Sequence, residues 1–206
     1  MFRTNSNNRG FSGSARAPRK RLSAGCTLIE MLVVVAIIVI VTSLALAKNS
    51  QFNNTILLSD TAYDISFSIR QAQVYGLSVR EFTGSGISST FSVGYGVYFS
   101  ANTPSQYTLF VDIDRDHLYQ NPPDAIEQSI ILRNNYKIAT VCGSRNGTET
   151  CDLSSLAGAF ERPNPDTFMS SGGVAYDSVR LVLQARGGDT RSINIFTTGQ
   201  ISVAGQ

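Results

Sequence analysis

The feature that most constrains this chain is a long apolar segment near its beginning. Between Cys26 and Ala47 the only formally charged side chain is that of Glu30. A run of about 20 apolar residues, at about 1.5 Å of helical rise each, crosses a hydrocarbon core of about 30 Å. The run is too long for an ordinary cleaved secretory signal, and no small-residue cleavage site follows its far end. We therefore predict a transmembrane helix over residues 26–47.

Charge is distributed unevenly around this segment. Residues 1–25 carry six of the 17 basic residues and none of the 15 acidic ones, so the remainder is mildly acidic. Such a body has no general attraction for nucleic acid. The cluster Arg19-Lys20-Arg21 precedes the apolar run, and Lys48 is the sole basic residue just after it. By the positive-inside rule the beginning of the chain is cytoplasmic, and the chain crosses the membrane once so that its bulk faces outward.

A carboxylate such as that of Glu30 is unfavourable in free energy inside an apolar membrane helix, so it is expected to have a partner or a function. A simple signal anchor does not explain its presence. Residues 25–30 read Gly-Cys-Thr-Leu-Ile-Glu, and Met-Leu-Val-Val-Val-Ala-Ile-Ile follows. This stretch resembles the class III signal of type IV prepilins and type II secretion pseudopilins. In that family a basic leader ends in Gly, and Glu is the fifth residue of the mature chain. Here the family's usual first residue, Phe, is replaced by Cys26.

The resemblance implies a pathway for the chain. A prepilin peptidase would cut after Gly25 on the cytoplasmic face, and Cys26 would become the methylated N-terminus. In a bundle of apolar helices, the α-amine of Cys26 and the carboxylate of Glu30 must neutralise each other, so the pair would guide subunit docking. The implied partners are other pilin or pseudopilin subunits in a helical filament, the peptidase and an inner-membrane assembly platform. The rest of the chain would face the periplasm or the cell exterior.

A second motif overlaps the first. Residues 22–26, Leu-Ser-Ala-Gly-Cys, also match a bacterial lipobox, in which the Cys is lipidated. In a lipoprotein signal the apolar segment precedes the Cys, whereas here residues 1–21 are polar and basic and the apolar run follows. The order of segments therefore favours the prepilin interpretation.

The helix is expected to continue beyond the membrane. Apolar or small residues recur at spacings of four and three, which is one face of an amphipathic helix. The members of this face are Leu58, Ala62, Ile65, Ile69, Ala72 and Gly76. We predict one helix from about residue 27 to about residue 79, whose face packs on a sheet. The predicted organisation is a leader (1–25), a transmembrane part (26–47), an amphipathic continuation (48–80) and a β-rich head (81–206).

The head is predicted to be an antiparallel β structure, since turn signals separate short runs of β-branched and aromatic residues. The predicted strands are 91–99, 107–113, 126–132, 137–142, 179–184, 193–197 and 201–203. Residues 154–173, with two prolines, are predicted to be a loop. The fold class is therefore α+β. The order of a long helix and antiparallel strands resembles the pilin fold. With the Asp-Ile-Asp-Arg-Asp turn (112–116) and the closing Ile-Phe-Thr-Thr-Gly-Gln-Ile segment (195–201), the chain most resembles the minor pseudopilin of the H type and its pilus relatives, which implies a minor subunit.

Two cysteines of the head lie on either side of a turn signal. Asn146-Gly147 favours a tight hairpin that brings Cys142 and Cys151 together. An exported chain favours a disulfide, although Cα geometry decides whether the sulfurs can bond. Two reduced thiols, or one buried thiol, remain the alternatives.

Three aspartates have the spacing that opens a calcium loop: Asp112, Asp114 and Asp116. A full EF-hand needs Gly at its sixth position and Glu at its twelfth, where this chain has His117 and Pro123. The EF-hand is therefore excluded. A solvated acidic turn and a looser Ca²⁺ site remain as alternatives, and no other cofactor is expected.

Other functions have less in their favour. His117 is the single histidine, and no nucleophile-elbow or phosphate-binding glycine motif is present, so we expect no enzyme. Arg180, Arg186 and Arg191 lie close in sequence. Some minor pilins of competence systems bind DNA through basic residues near the C-terminus, so a DNA-binding or adhesive tip pilin is the alternative function. The first prediction remains a structural subunit of a type IV pilus or a type II secretion pseudopilus.

Overall fold

The computed structural model describes residues 27–84 and 87–205, without the side chains of residues 47–54 and 87–89. This part of the chain comprises one long helix followed by short strands. Helix α1 spans Leu28–Leu77. The strands are β1 (Phe82–Gly84), β2 (Ile87–Thr90), β3 (Gly94–Ser100), β4 (Gln106–Asp112), β5 (Ala125–Ile131), β6 (Lys137–Arg145), β7 (Thr148–Thr150), β8 (Ser155–Glu161), β9 (Asn164–Ser171), β10 (Val174–Ala175), β11 (Ser178–Gln184), β12 (Thr190–Phe196) and β13 (Ile201–Gly205).

The strands form three antiparallel sheets. A six-stranded sheet has the order β10-β9-β8-β3-β4-β5, and a five-stranded sheet has the order β13-β12-β11-β6-β7. The third sheet is the small pair β1-β2. One helix with antiparallel sheets confirms the predicted α+β class.

The chain divides into two compact units after Ala45. Apart from Thr27, the described part of the first unit belongs to α1, and all of it is exposed. The segment Leu28–Leu46 is long and apolar enough to cross a membrane, and no other described helix is. Its two hydroxyl side chains are satisfied within the helix, because Thr42 donates to the carbonyl of Ile38 and Ser43 donates to that of Val39, each at 2.7 Å. These two hydroxyl groups therefore do not prevent the segment from lying in lipid.

In the second unit, the amphipathic face of α1 is buried as predicted. Its side chains join the main core, together with residues of both large sheets. The members contributed by the sheets include Phe99, Leu109, Phe160, Leu181 and Ile193. The 3.6-residue period of the face explains why one side of the helix is covered and the other is left exposed.

The helix and β8 lie close together at Gly76. A Cβ atom added there would lie 2.3 Å from the carbonyl oxygen of Phe160. Glycine is therefore required at this position by the proximity of the neighbouring backbone. The close approach also explains why the last residue of the apolar helix face is a glycine and not a larger apolar residue.

The prediction of a loop over residues 154–173 is wrong. Strand β8 lies inside the six-stranded sheet, between β3 and β9, and β9 follows it as a hairpin. The small residues of β8 have weak β-propensity, but most are buried by their neighbours in the sheet. Pro165 is accommodated because the register shifts between Phe160 and Glu161, which leaves it outside the regular pairing.

Candidate functional site

Glu30 lies in the first turn of α1, directly after a helix cap. The Thr27 hydroxyl accepts a hydrogen bond from the Glu30 amide at 3.3 Å, and the Thr27 carbonyl accepts one from the Met31 amide at 3.2 Å. Thr27 is therefore the N-cap, and Thr-x-x-Glu has the spacing of a capping box. Near the positive end of the helix dipole a carboxylate is favourable.

The Glu30 side chain is exposed and forms no ion pair with any residue that the structure describes. A carboxylate in an apolar segment needs a neutralising group, so the group has to come from outside these residues. Gly25 and Cys26, the predicted cleavage and methylation positions, lie outside the described residues. Their predicted roles, and that of Glu30 in assembly, therefore stay predictions.

The three aspartates of the β4–β5 loop lie together. One carboxylate oxygen from each of Asp112, Asp114 and Asp116 falls within 4.8 Å of the others. Asp112 is fully buried, whereas the other two are exposed. Oxygen ligands grouped in this way suit a hard cation such as Ca²⁺, and binding of Ca²⁺ here stays a prediction.

The backbone of the loop is organised around Asp112. Its two carboxylate oxygens accept hydrogen bonds from the amides of Arg115 at 2.7 Å and His117 at 3.0 Å. Both donors have positive φ, which turns the chain back toward the carboxylate. Burial raises the pKa of Asp112 to about 7, against the opposing effect of these two hydrogen bonds. The carboxylate therefore also has a structural role that the sequence pattern does not reveal.

Sequence reasoning missed Asp124, which closes the other end of the same loop. It is buried, and it accepts hydrogen bonds from the amides of Ile113 at 3.1 Å and Gln120 at 2.8 Å. Burial raises its pKa, and the nearby negative charges act in the same direction. The signal available in the sequence was a fourth aspartate two residues before the predicted strand 126–132.

His117 lies in the β4–β5 loop and is half-buried rather than fully exposed. Its ring stacks on that of Phe168, with centroids 3.8 Å apart, and its Nε2 atom lies 2.9 Å from a carboxylate oxygen of Glu161. Glu161 also forms an ion pair with Arg115. Burial lowers the pKa of His117, which favours the neutral ring near pH 7. The residue joins the loop to the six-stranded sheet.

Cys142 and Cys151 form a disulfide, with an S–S distance of 2.03 Å. The turn between β6 and β7 has positive φ at both Asn146 and Gly147, as a type I′ hairpin requires. The disulfide prediction is therefore confirmed. The two sulfurs and a carboxylate oxygen of Glu149 lie close enough together to resemble a metal site. Both sulfurs are bonded in the disulfide, however, so neither is available as a thiolate ligand.

The three arginines proposed for DNA binding lie in different surroundings. Arg180 forms a two-point ion pair with Glu149, at 3.0 and 2.9 Å, and Arg191 donates to the Ser59 hydroxyl at 2.9 Å. Arg186 is exposed in the β11–β12 turn. Two of the three arginines therefore already have partners within the head, and DNA binding stays a prediction.

Comparisons with known proteins identify no relative: no family model, no curated protein and no solved structure matches this chain.

Proposed function

We propose that this chain is a structural subunit, of the minor pilin or pseudopilin kind, of a type IV pilus or a type II secretion pseudopilus. A prepilin peptidase cuts it after Gly25 at the cytoplasmic face of the inner membrane. The methylated N-terminus at Cys26 and the helix that follows then enter the filament. The head adopts the pilin fold, in which a long helix packs on antiparallel strands.

The observation that carries the proposal is the position of Glu30. It is a single carboxylate in a 19-residue apolar segment, and it comes three residues after the cap Thr27. Cleavage after Gly25 creates an α-amine four residues before it. In a bundle of apolar helices this amine supplies the positive charge that Glu30 needs, either in the same chain or in a neighbour.

The architecture supports the proposal in a second way. The apolar face of α1 from Leu58 to Gly76 is buried in the head, which leaves the rest of the helix surface available to other subunits. A site for DNA gains no such support, because Arg180 and Arg191 are already engaged within the chain. An assembly subunit needs a rigid head attached to a helix rather than a reactive cleft.

Mass analysis of the N-terminal peptide tests the proposal. The full chain is produced in cells that have a prepilin peptidase, and the protein is recovered from membranes. We expect the peptide to begin at Cys26 and to carry the mass of one added methyl group. Gly25→Val blocks the cut and leaves the leader in place. A wild-type peptide that begins upstream of Cys26, with the peptidase active on a known substrate, contradicts the proposal.

A matched pair of variants tests the role of Glu30. We expect Glu30→Ala to leave cleavage and head folding intact and to prevent recovery of the chain in sheared filaments. Met31→Ala, a truncation at the adjacent exposed position, is the control and is expected to assemble. Equal assembly of the two variants contradicts a role for the carboxylate in docking.

A further inference from the structure

The helix surface opposite the buried face carries large exposed apolar side chains. Ile56, Tyr63, Phe67 and Val74 are 49%, 62%, 71% and 61% exposed. Their spacings of seven, four and seven place them on one side of α1, about half a turn around the axis from the buried face. We call these four residues the outer stripe. A row of exposed aromatic and aliphatic side chains indicates an interaction surface.

Charged side chains of opposite sign lie on the two flanks of the outer stripe. Arg70 lies on one flank, and Asp60 and Asp64 lie on the other, at about 40–80° from the stripe. All three are exposed, and none belongs to an ion pair among the described side chains. Asp60 and Asp64 are one turn apart, where like charges repel each other. The acidic flank would therefore be stabilised by a cation from elsewhere.

We propose that the occupant of this surface is a second copy of the same chain, with Arg70 of one copy paired to Asp60 or Asp64 of the next. The inference rests on the proposed function, because anchors in one membrane keep all copies parallel. When parallel helices are arranged around a common axis with their stripes toward it, the basic flank of each copy faces the acidic flank of its neighbour. The charges on the two flanks are complementary in this arrangement.

The positions of Arg70, Asp60 and Asp64 along the helix also determine how far one copy is shifted along the helix axis relative to the next. Arg70 is six residues beyond Asp64 and ten beyond Asp60, which is about 9 Å and about 15 Å along the axis. A neighbour that brings its aspartate to the level of Arg70 is therefore shifted by one of these distances. The two flanks differ, so the contact is heterologous, and a shift of this kind produces an open helical assembly instead of a closed ring.

Zero-length cross-linking tests this contact in the full chain. Arg70→Lys keeps the positive charge and supplies an amine, which a carbodiimide joins to a carboxylate only at direct contact. The reagent is applied to membranes and filaments from cells that also make the prepilin peptidase and the assembly platform. We expect multimers of this chain, with a peptide from position 70 joined to the peptide that contains Asp60 and Asp64. The yield is expected to be at least five times that of the unsubstituted chain.

Two further variants define the contact. Arg133→Lys places the same amine at an exposed position in the β5–β6 turn, and we expect no increase in multimers. Asp60→Asn with Asp64→Asn, in the Arg70→Lys background, is expected to abolish the product. An amide at these positions is uncharged but nearly the same size. Persistence of the product in that background overturns the assigned pair.

The outcomes separate this inference from the proposed function. A chain that is cut at Cys26 but gives no cross-link from position 70 overturns the inference alone. A chain that keeps its leader overturns the proposed function. A cross-link from position 70 to a different protein overturns the assignment of a second copy as the occupant.

Discussion

Gly76 is the position where one added methyl group has the clearest predicted effect. In Gly76→Ala the new Cβ lies 2.3 Å from the oxygen, 2.8 Å from the carbonyl carbon and 2.9 Å from the Cβ of Phe160. Ordinary contacts of a Cβ begin near 3.4 Å, so the helix and β8 have to separate by about 1 Å. Because β8 is held between β3 and β9, its backbone cannot easily move away.

Two opposing effects determine the magnitude. Alanine is favoured over glycine in a helix by about 1 kcal/mol. Overpacking a well-packed core typically costs about 1–3 kcal/mol, and the obstacle here is backbone, which adapts less easily than a side chain. Because the obstacle is backbone, the upper end of this range, about 3 kcal/mol, applies, and subtracting the helix preference of about 1 kcal/mol leaves a fall of about 2 kcal/mol in the free energy of unfolding. This corresponds to a Tm lower by roughly 4–8 °C for a chain of this size.

The assay is thermal unfolding of the full chain in detergent, followed by circular dichroism. Gly158→Ala is the matched control, since its Cβ would meet only ordinary contacts, the nearest at 3.6 Å from a methyl group of Val97. Restricting the unfolded chain at a compatible site raises stability by about 0.4–1 kcal/mol. The two substitutions therefore shift Tm in opposite directions. A Tm for Gly76→Ala equal to or above that of Gly158→Ala would refute the close approach of helix and β8.

Three further predictions concern the head. Burial raises the pKa of Asp112 to about 7 in the folded protein, so the contribution of this side chain to stability is complete below about pH 4 and is lost as pH rises through about 7. Chemical unfolding at a series of pH values is expected to show this decline in the free energy of unfolding. Asp112→Asn is expected to flatten the decline. Arg80 lies 4.0 Å from the ring centroid of Tyr75 and pairs with Glu127 at 2.7 Å. Arg80→Ala is expected to lower the free energy of unfolding by about 1 kcal/mol, and Glu127→Gln by less, because the second variant keeps the cation–π contact. Replacing both Cys142 and Cys151 by serine is expected to lower the free energy of unfolding by roughly 2–3 kcal/mol, because the unfolded chain regains the entropy that closure of the short loop removes. Reduction of the disulfide is expected to lower Tm in the same way, and an unchanged Tm would contradict this.

The sequence alone determined the features that depend on local periodicity and turn chemistry. The spacing from Leu58 to Gly76 specifies one helix face whatever it packs against, and that face is buried. Asn146-Gly147 specifies a hairpin because both positions accept positive φ, and the structure then shows that the hairpin brings the sulfurs of Cys142 and Cys151 into a disulfide. The apolar segment before Ala47 is equally local, since length and composition define it.

Only the tertiary structure decided the features that depend on neighbours distant in sequence. The small residues of β8 form a strand because β3 and β9 bury them, which local propensity cannot show. Asp124 joins Asp112 in one loop because β4 and β5 pair, and pairing brings their ends together. Arg180 and Arg191 are close along the chain, but their partners are Glu149 and Ser59, on other elements. Contacts across sheets and between helix and sheet depend on which surfaces meet, and a pattern read along one segment does not contain that information.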